Sequence, residues 1–107
     1  MSFLVRELPK ARQDKHSIFS WLYDRSPAGA ITWLDAYDSL AERLKLDAAT
    51  FGLAPESVNC ELEVRQALFK TRRGRVYRAL FYIEGAELFI LRVRGPGQAP
   101  VIPQEVQ

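Results

Sequence analysis

Residues 65–98 read RQALFKTRRGRVYRALFYIEGAELFILRVRGPGQ. Two apolar segments stand inside this stretch, at 76–84 and 88–93, rich in the aromatic and branched residues that suit a pleated, half-buried surface. Gly85 and Ala86 separate them, which predicts an antiparallel hairpin. Arginine punctuates both strands. Residues 65–94 hold eight Lys/Arg against two acids, a net +6, whereas residues 1–64 hold seven basic residues against ten acids, a net −3. A total charge of +2 therefore hides a basic sheet carried on an acidic helical half.

Upstream, residues 60–70 predict another strand. Leu62, Val64 and Leu68 fall on one face, alternating with Glu61, Glu63 and Arg65. TRRGR, residues 71–75, is a charged turn around Gly74. Further back, Ser26-Pro27 is a helix start: the serine hydroxyl can take an orphan backbone N–H, and proline at the first helical position loses no bond. Ala30, Trp33, Leu34, Tyr37, Leu40, Ala41 and Leu44 then form a clean helical stripe. Ala11, Ile18 and Leu22 mark an earlier helix over about 10–24, with Phe19 and Tyr23 beside them. Trp21 and Trp33 are both expected to pack between these helices and the sheet. Residues 2–8 read as a short first strand that Pro9 interrupts. Residues 51–57, FGLAPES, read as a loop, and the tail from 95 as irregular and partly mobile.

The expected fold is α+β with element order β-α-α-β-β-β. An N-terminal helical hairpin packs on one face of a curved, mostly antiparallel sheet. The other sheet face is left for a basic groove. A length of 107 residues makes one domain. No run approaches the roughly 18 apolar residues of a membrane span. The charged start at Arg6 and Glu7 is unlike a secretory signal. A cytoplasmic protein is the expectation. Cys60 is the only cysteine and His16 the only histidine, so neither a disulfide nor a metal-ligand spacing is written in the chain. No cofactor motif is present.

In its order of elements and residues the chain resembles the RelE/ParE superfamily, the toxins of bacterial type II toxin–antitoxin (plasmid stabilisation) systems. The resemblance rests on Pro9, Ala11 and Asp14, on Ser26, Pro27 and Ala30, and on Ala54-Pro55-Glu56. It continues through Arg65 with Leu68, Tyr77-Arg78, Leu80-Phe81, the acidic-Gly turn, and Leu91-Arg92-Val93-Arg94. It implies a toxin neutralised by a cognate antitoxin, free as a monomer or weak dimer. Two activities follow from it: a metal-independent endoribonuclease (mRNA interferase) acting on mRNA at the ribosome, or, as the alternative, inhibition of DNA gyrase without catalysis. A non-toxic relative acting as a binding module is the third reading.

RNA cleavage of that kind needs fixed cations where charge builds on the phosphoryl oxygens, and the planar fork of arginine suits them. Arg78 is the first candidate. Strand alternation puts it with Leu80 and Tyr82, opposite Tyr77, Ala79, Phe81 and Ile83. The structural alternative for Arg78 is a salt bridge, to Glu61 or Glu63. Arg92 and Arg94 complete the candidate catalytic set. Relatives often carry a histidine at or beyond this strand; here the sequence runs RVRGPGQ, and arginine is a poor proton donor. Lys70, Arg72, Arg73 and Arg75 are candidates for tracking an RNA backbone. Tyr82 is a candidate for stacking on a base, with cross-strand packing as the plainer role. Arg65 is expected to support the fold. An acidic antitoxin segment is expected to cover the basic sheet.

Overall fold

Residue Ser26 alone separates the two helices. In the computed structural model, which describes residues 2–71, 74–96 and 98, Ser26 is extended, at φ −160° and ψ 103°. Its Oγ accepts the Gly29 N–H at 3.1 Å, and its own N–H donates to the Leu22 carbonyl at 2.8 Å. One residue therefore closes α1 (Pro9–Arg25) and opens α2 (Pro27–Asp47). Each helix begins at a proline, whose missing N–H would have had no partner there. Pro9, expected to end the first strand, is thus also the first residue of α1. The chain leaves α2 through short 3-10 turns at Ala48–Thr50 and Pro55–Asn59.

Among the described residues four strands make one sheet in the order β1-β4-β3-β2: β1 (Leu4–Glu7), β2 (Arg65–Phe69), β3 (Tyr77–Glu84) and β4 (Glu87–Arg94). β1 runs parallel to β4, and the other pairs are antiparallel. Gly85, at φ +63°, makes the tight turn from β3 to β4. The fold class is α+β with the expected element order.

A bulge decides the side-chain pattern of β4. Phe81 pairs with Ile90, but Leu80 pairs with Arg92, which leaves Leu91 as the extra residue. Without that shift, strict alternation from Leu88 and Ile90 would place Arg92 in the helix-facing core. With it, Val93 takes the core position. Trp33, Tyr37, Leu40 and Leu44 of α2 pack on Ala67, Phe69, Ala79, Phe81, Leu88, Ile90 and Val93. The alternation read for β3 holds, with Ala79 and Phe81 in this core.

Several local expectations are corrected. The strand expected over 60–70 is confined to Arg65–Phe69. Leu62 and Leu68 are exposed, and Ala67 and Phe69 supply the buried face instead. Val64 belongs to a second cluster with Ala54, Leu80 and Leu91, backed by Leu8, Cys60 and Tyr82. Leu80 and Tyr82 alternate with the core-facing residues of β3, so this cluster covers part of the sheet face expected to be a basic groove. Val76 lies just before β3 and is exposed. Trp21, expected in the interface, is 53% exposed, with the Arg25 guanidinium one turn later 3.6 Å above its ring. Arg72, Arg73 and most of the tail lie outside the described residues. Among the described residues no helix is long and apolar enough to cross a membrane.

A polar clasp ties β1 to both helices. Glu7 receives the Tyr37 hydroxyl and lies 2.9 Å from Lys15 Nζ. Burial alone would raise its carboxyl pKa. The hydrogen bonds from Tyr37 and Lys15 and the charges of Lys15 and Arg12 outweigh burial, and the pKa falls below its ordinary 4.5. The unfolded chain therefore takes up this proton more readily than the folded one, and Glu7 stabilises the fold while ionised. The stability difference between wild type and Glu7→Gln, measured by urea denaturation, is expected to be constant above pH 4.5 and to shrink as pH falls through the lowered folded value. A difference independent of pH down to about pH 2.5 would show that the ionised carboxylate contributes nothing.

Candidate functional site

Arg78 sits near the start of β3, paired in register with Leu68 of β2 and Arg94 of β4. It is held by a carboxylate, though neither of the two expected. Nη1 donates to Glu56 Oε1 at 2.8 Å and to Gln66 Oε1 at 3.2 Å, and Nη2 donates to Glu56 Oε2. Glu61 and Glu63 are both exposed. Glu56 is 95% buried, the one buried charged residue among those described. Pro55 starts its 3-10 turn, and the turn is pinned to Val64, the residue just before β2, by Ala54 N–H to the Val64 carbonyl at 2.7 Å and Val64 N–H to Ser57 Oγ at 3.0 Å. The backbone delivers the carboxylate to the guanidinium fork, and the bidentate geometry is the strong form of this bond.

Arg92 is held in the same way. Its Nε and Nη2 donate to the two carboxylate oxygens of Asp14, at 2.7 and 3.0 Å. Asp14 Oδ2 also accepts the Val93 N–H at 3.0 Å. β1 pairs with β4 only as far as Ile90, so on that side, opposite β3, the later residues of β4 have no strand beside them. The Asp14 carboxylate, carried there by α1, takes a donor that this edge would otherwise leave open. The interaction thus joins helix, edge strand and arginine.

The other candidates scatter. Lys70 and Arg75 are exposed at the two ends of the β2–β3 connection. Tyr82 stacks on Phe89 of the adjacent strand, ring centroids 5.0 Å apart at 18°, the plainer cross-strand role. Its hydroxyl pKa is raised, first by burial and then by Glu84 and Glu87. Arg65 donates to the Phe51 carbonyl at 2.5 Å and lies 3.8 Å from Glu63, which is support for the fold. His16 is exposed on α1.

Register brings Arg78 and Arg94 side by side, with Arg92 two residues before Arg94. The side-chain partners of these arginines that sequence reasoning missed are Glu56, Gln66 and Asp14. Asp14 and Glu56 stood among the residues of the family resemblance, but pairs separated by 22 and 78 positions leave no periodic signal.

No protein-family model matches this sequence, and no curated protein does. Among solved structures, a chain of the chromosomal ParDE toxin–antitoxin system of P. aeruginosa superposes with a TM-score of 0.65 at 19% identity, covering 88% of this chain and 96% of that one. A chain of the RelBE2 toxin–antitoxin complex of Mycobacterium tuberculosis superposes with a TM-score of 0.47 at 22% identity, over 89% and 99% of the two chains. The first of these carries the likeness of fold.

Proposed function

We propose that this chain, whose fold is RelE/ParE-like, is the toxin of a type II toxin–antitoxin pair and acts by binding a protein target. DNA gyrase is the target that the family resemblance supplies. The observation carrying the mechanism is that two of the three candidate catalytic arginines already grip carboxylates within the fold. Arg78 is forked on Glu56, and Arg92 is forked on Asp14. Phosphoryl transfer needs cations open to the phosphate and a group that gives a proton to the leaving oxygen. The sole histidine is on α1, outside this cluster. Inhibition by binding needs neither feature.

A ribonuclease is the second reading, and one observation favours it. Arg78 keeps 22% of its side chain exposed and stands across from Arg94, so a phosphate could approach this pair from the solvent side. Brief, tightly controlled induction in cells, with RNA 5′-end mapping, separates the two. Growth arrest without new ends inside translated codons is expected, together with loss of DNA supercoiling by purified gyrase mixed with the purified chain. New ends inside codons would replace this reading with the ribonuclease, and the absence of arrest would remove the toxin reading.

A further inference from the structure

A concavity unused by the residues above lies between the end of α1 and the start of β3. It has a volume of about 950 Å³. Ile18 and Leu22 of α1 and Tyr77 of β3 give it apolar walls, and the exposed Trp21 ring stands beside them. Gly95 lies against the same wall. A Cβ there would stand 3.0 Å from the Tyr77 ring, and its absence lets the backbone come this close. The charged residues lining the groove are Arg25 and Arg75, both exposed, and no acid lines it among the described residues. Neither arginine makes an ion pair with a described residue. Arg25 is held in place by its own helix. Its guanidinium lies 3.6 Å over the Trp21 ring, and Nη1 donates to the Trp21 carbonyl at 3.3 Å. One of its five N–H donors is used in this way. Burial raises the Tyr77 hydroxyl pKa and the Arg75 charge partly offsets that rise, so Arg75 lies near this wall. Gln98, also in the lining, accepts the Gly95 N–H through Oε1 and carries two further amide donors.

Apolar walls with a few placed polar groups are the usual make-up of a small-ligand site. The walls here are aromatic, and the polar groups are two arginines without acids. We propose that this groove binds a nucleoside phosphate, either free or as the terminal nucleotide of a single strand. The base lies against Trp21 and Tyr77, and Arg25 and Arg75 hold the phosphate oxygens. Stacking on an aromatic ring accepts any base, because every base has a π-face. The planar guanidinium fork matches a pair of phosphate oxygens. A purely apolar ligand would leave both cations unmatched, and a bare phosphate would leave the aromatic wall in water. The inference goes beyond the toxin reading and does not depend on it.

The test is isothermal titration calorimetry of the purified full chain. The probes are ADP, adenosine, inorganic pyrophosphate, a tetraglutamate peptide and a 5′-phosphorylated pentadeoxyadenylate. ADP is expected to bind saturably, with adenosine and pyrophosphate each at least about 10-fold weaker, because each keeps only half of the contacts. The double variant Arg25→Gln with Arg75→Gln is expected to weaken ADP on the order of 100-fold, and Trp21→Ala about 10-fold. Arg43→Gln, outside the groove, is expected to change nothing. The substituted residues in the groove are exposed, and an unchanged thermal melt of each free variant checks its fold. ADP is also expected to raise the melting temperature of wild type and not of the double variant. A pentanucleotide that binds more tightly than ADP would assign the site to a strand end, and one that binds no better would assign it to a free nucleotide. Pyrophosphate or tetraglutamate binding as tightly as ADP would reduce the groove to a charged surface and overturn the proposal. So would ADP affinity that survives the double variant, or saturable binding of neither ADP nor the pentanucleotide. All of these outcomes leave the toxin reading where it stands.

Discussion

Arg78→Ala is expected to destabilise the fold by about 3–5 kcal/mol, the range for breaking a buried ion pair from one side. The residue left behind decides the size. Removing Arg78 takes the guanidinium fork from the Glu56 carboxylate, whose side chain is 2% exposed, whereas Glu56→Ala leaves a guanidinium that is 22% exposed, keeps its bond to Gln66 and can be rehydrated. The arginine substitution should therefore be the worse of the two. Replacing both together, by Glu56→Gln with Arg78→Met, should recover most of the loss, because neither unpaired charge remains. Guanidinium denaturation of the four proteins measures this. A cost below about 1 kcal/mol for Arg78→Ala would mean that water reaches Glu56 and the pair behaves as a surface one. The result bears on function. A domain of this size has about 5–15 kcal/mol in total, so an inactive Arg78→Ala chain in cells reports on catalysis only if its abundance is unchanged.

Trp33→Ala is expected to cost about 3–5 kcal/mol and to lower the melting temperature by roughly 15 °C. Trp33 joins the hairpin to the sheet. Its ring stands 5.9 Å from Tyr37 on its own helix, 5.8 Å from Phe69 of β2 and 5.6 Å from Tyr77 of β3. Truncation opens a cavity where three elements meet, and close-packed neighbours refill such a space only in part. Trp21→Ala in the free chain should change stability by less than about 0.5 kcal/mol, as exposed substitutions do. Thermal melts of the two variants side by side check the contrast. Equal losses would mean that Trp21 packs as deeply as Trp33.

The two tryptophans show how far periodicity reaches. Both lie on amphipathic helices, and the sequence reading placed both inside. The α2 stripe, repeated over four turns, did locate Trp33, because a long 3.6-residue pattern leaves one face for the core. On α1 the apolar residues Ile18, Phe19, Trp21, Leu22 and Tyr23 spread around much of the helix, and only contact with the sheet selects among them. The same limit shaped β2. Alternation over 60–70 gave the right element, but the residues that face the helices, Ala67 and Phe69, are of the opposite phase to Leu62 and Leu68. The helices, not the strand's own pattern, choose the phase.

By itself the sequence determined the element order, the helix start at Ser26-Pro27, the hairpin of β3 and β4, and the concentration of arginine in the sheet. Each is written in neighbouring residues: a cap, a proline, a glycine turn, a local excess of charge. Only the tertiary structure decided what those arginines do. The bulge at Leu91 sets the phase of Arg92, α1 brings Asp14 to the open edge of β4, and the turn at Pro55 delivers Glu56 to Arg78. An ion pair depends on distance in space and on exclusion of water, and neither is encoded in the spacing of residues along the chain.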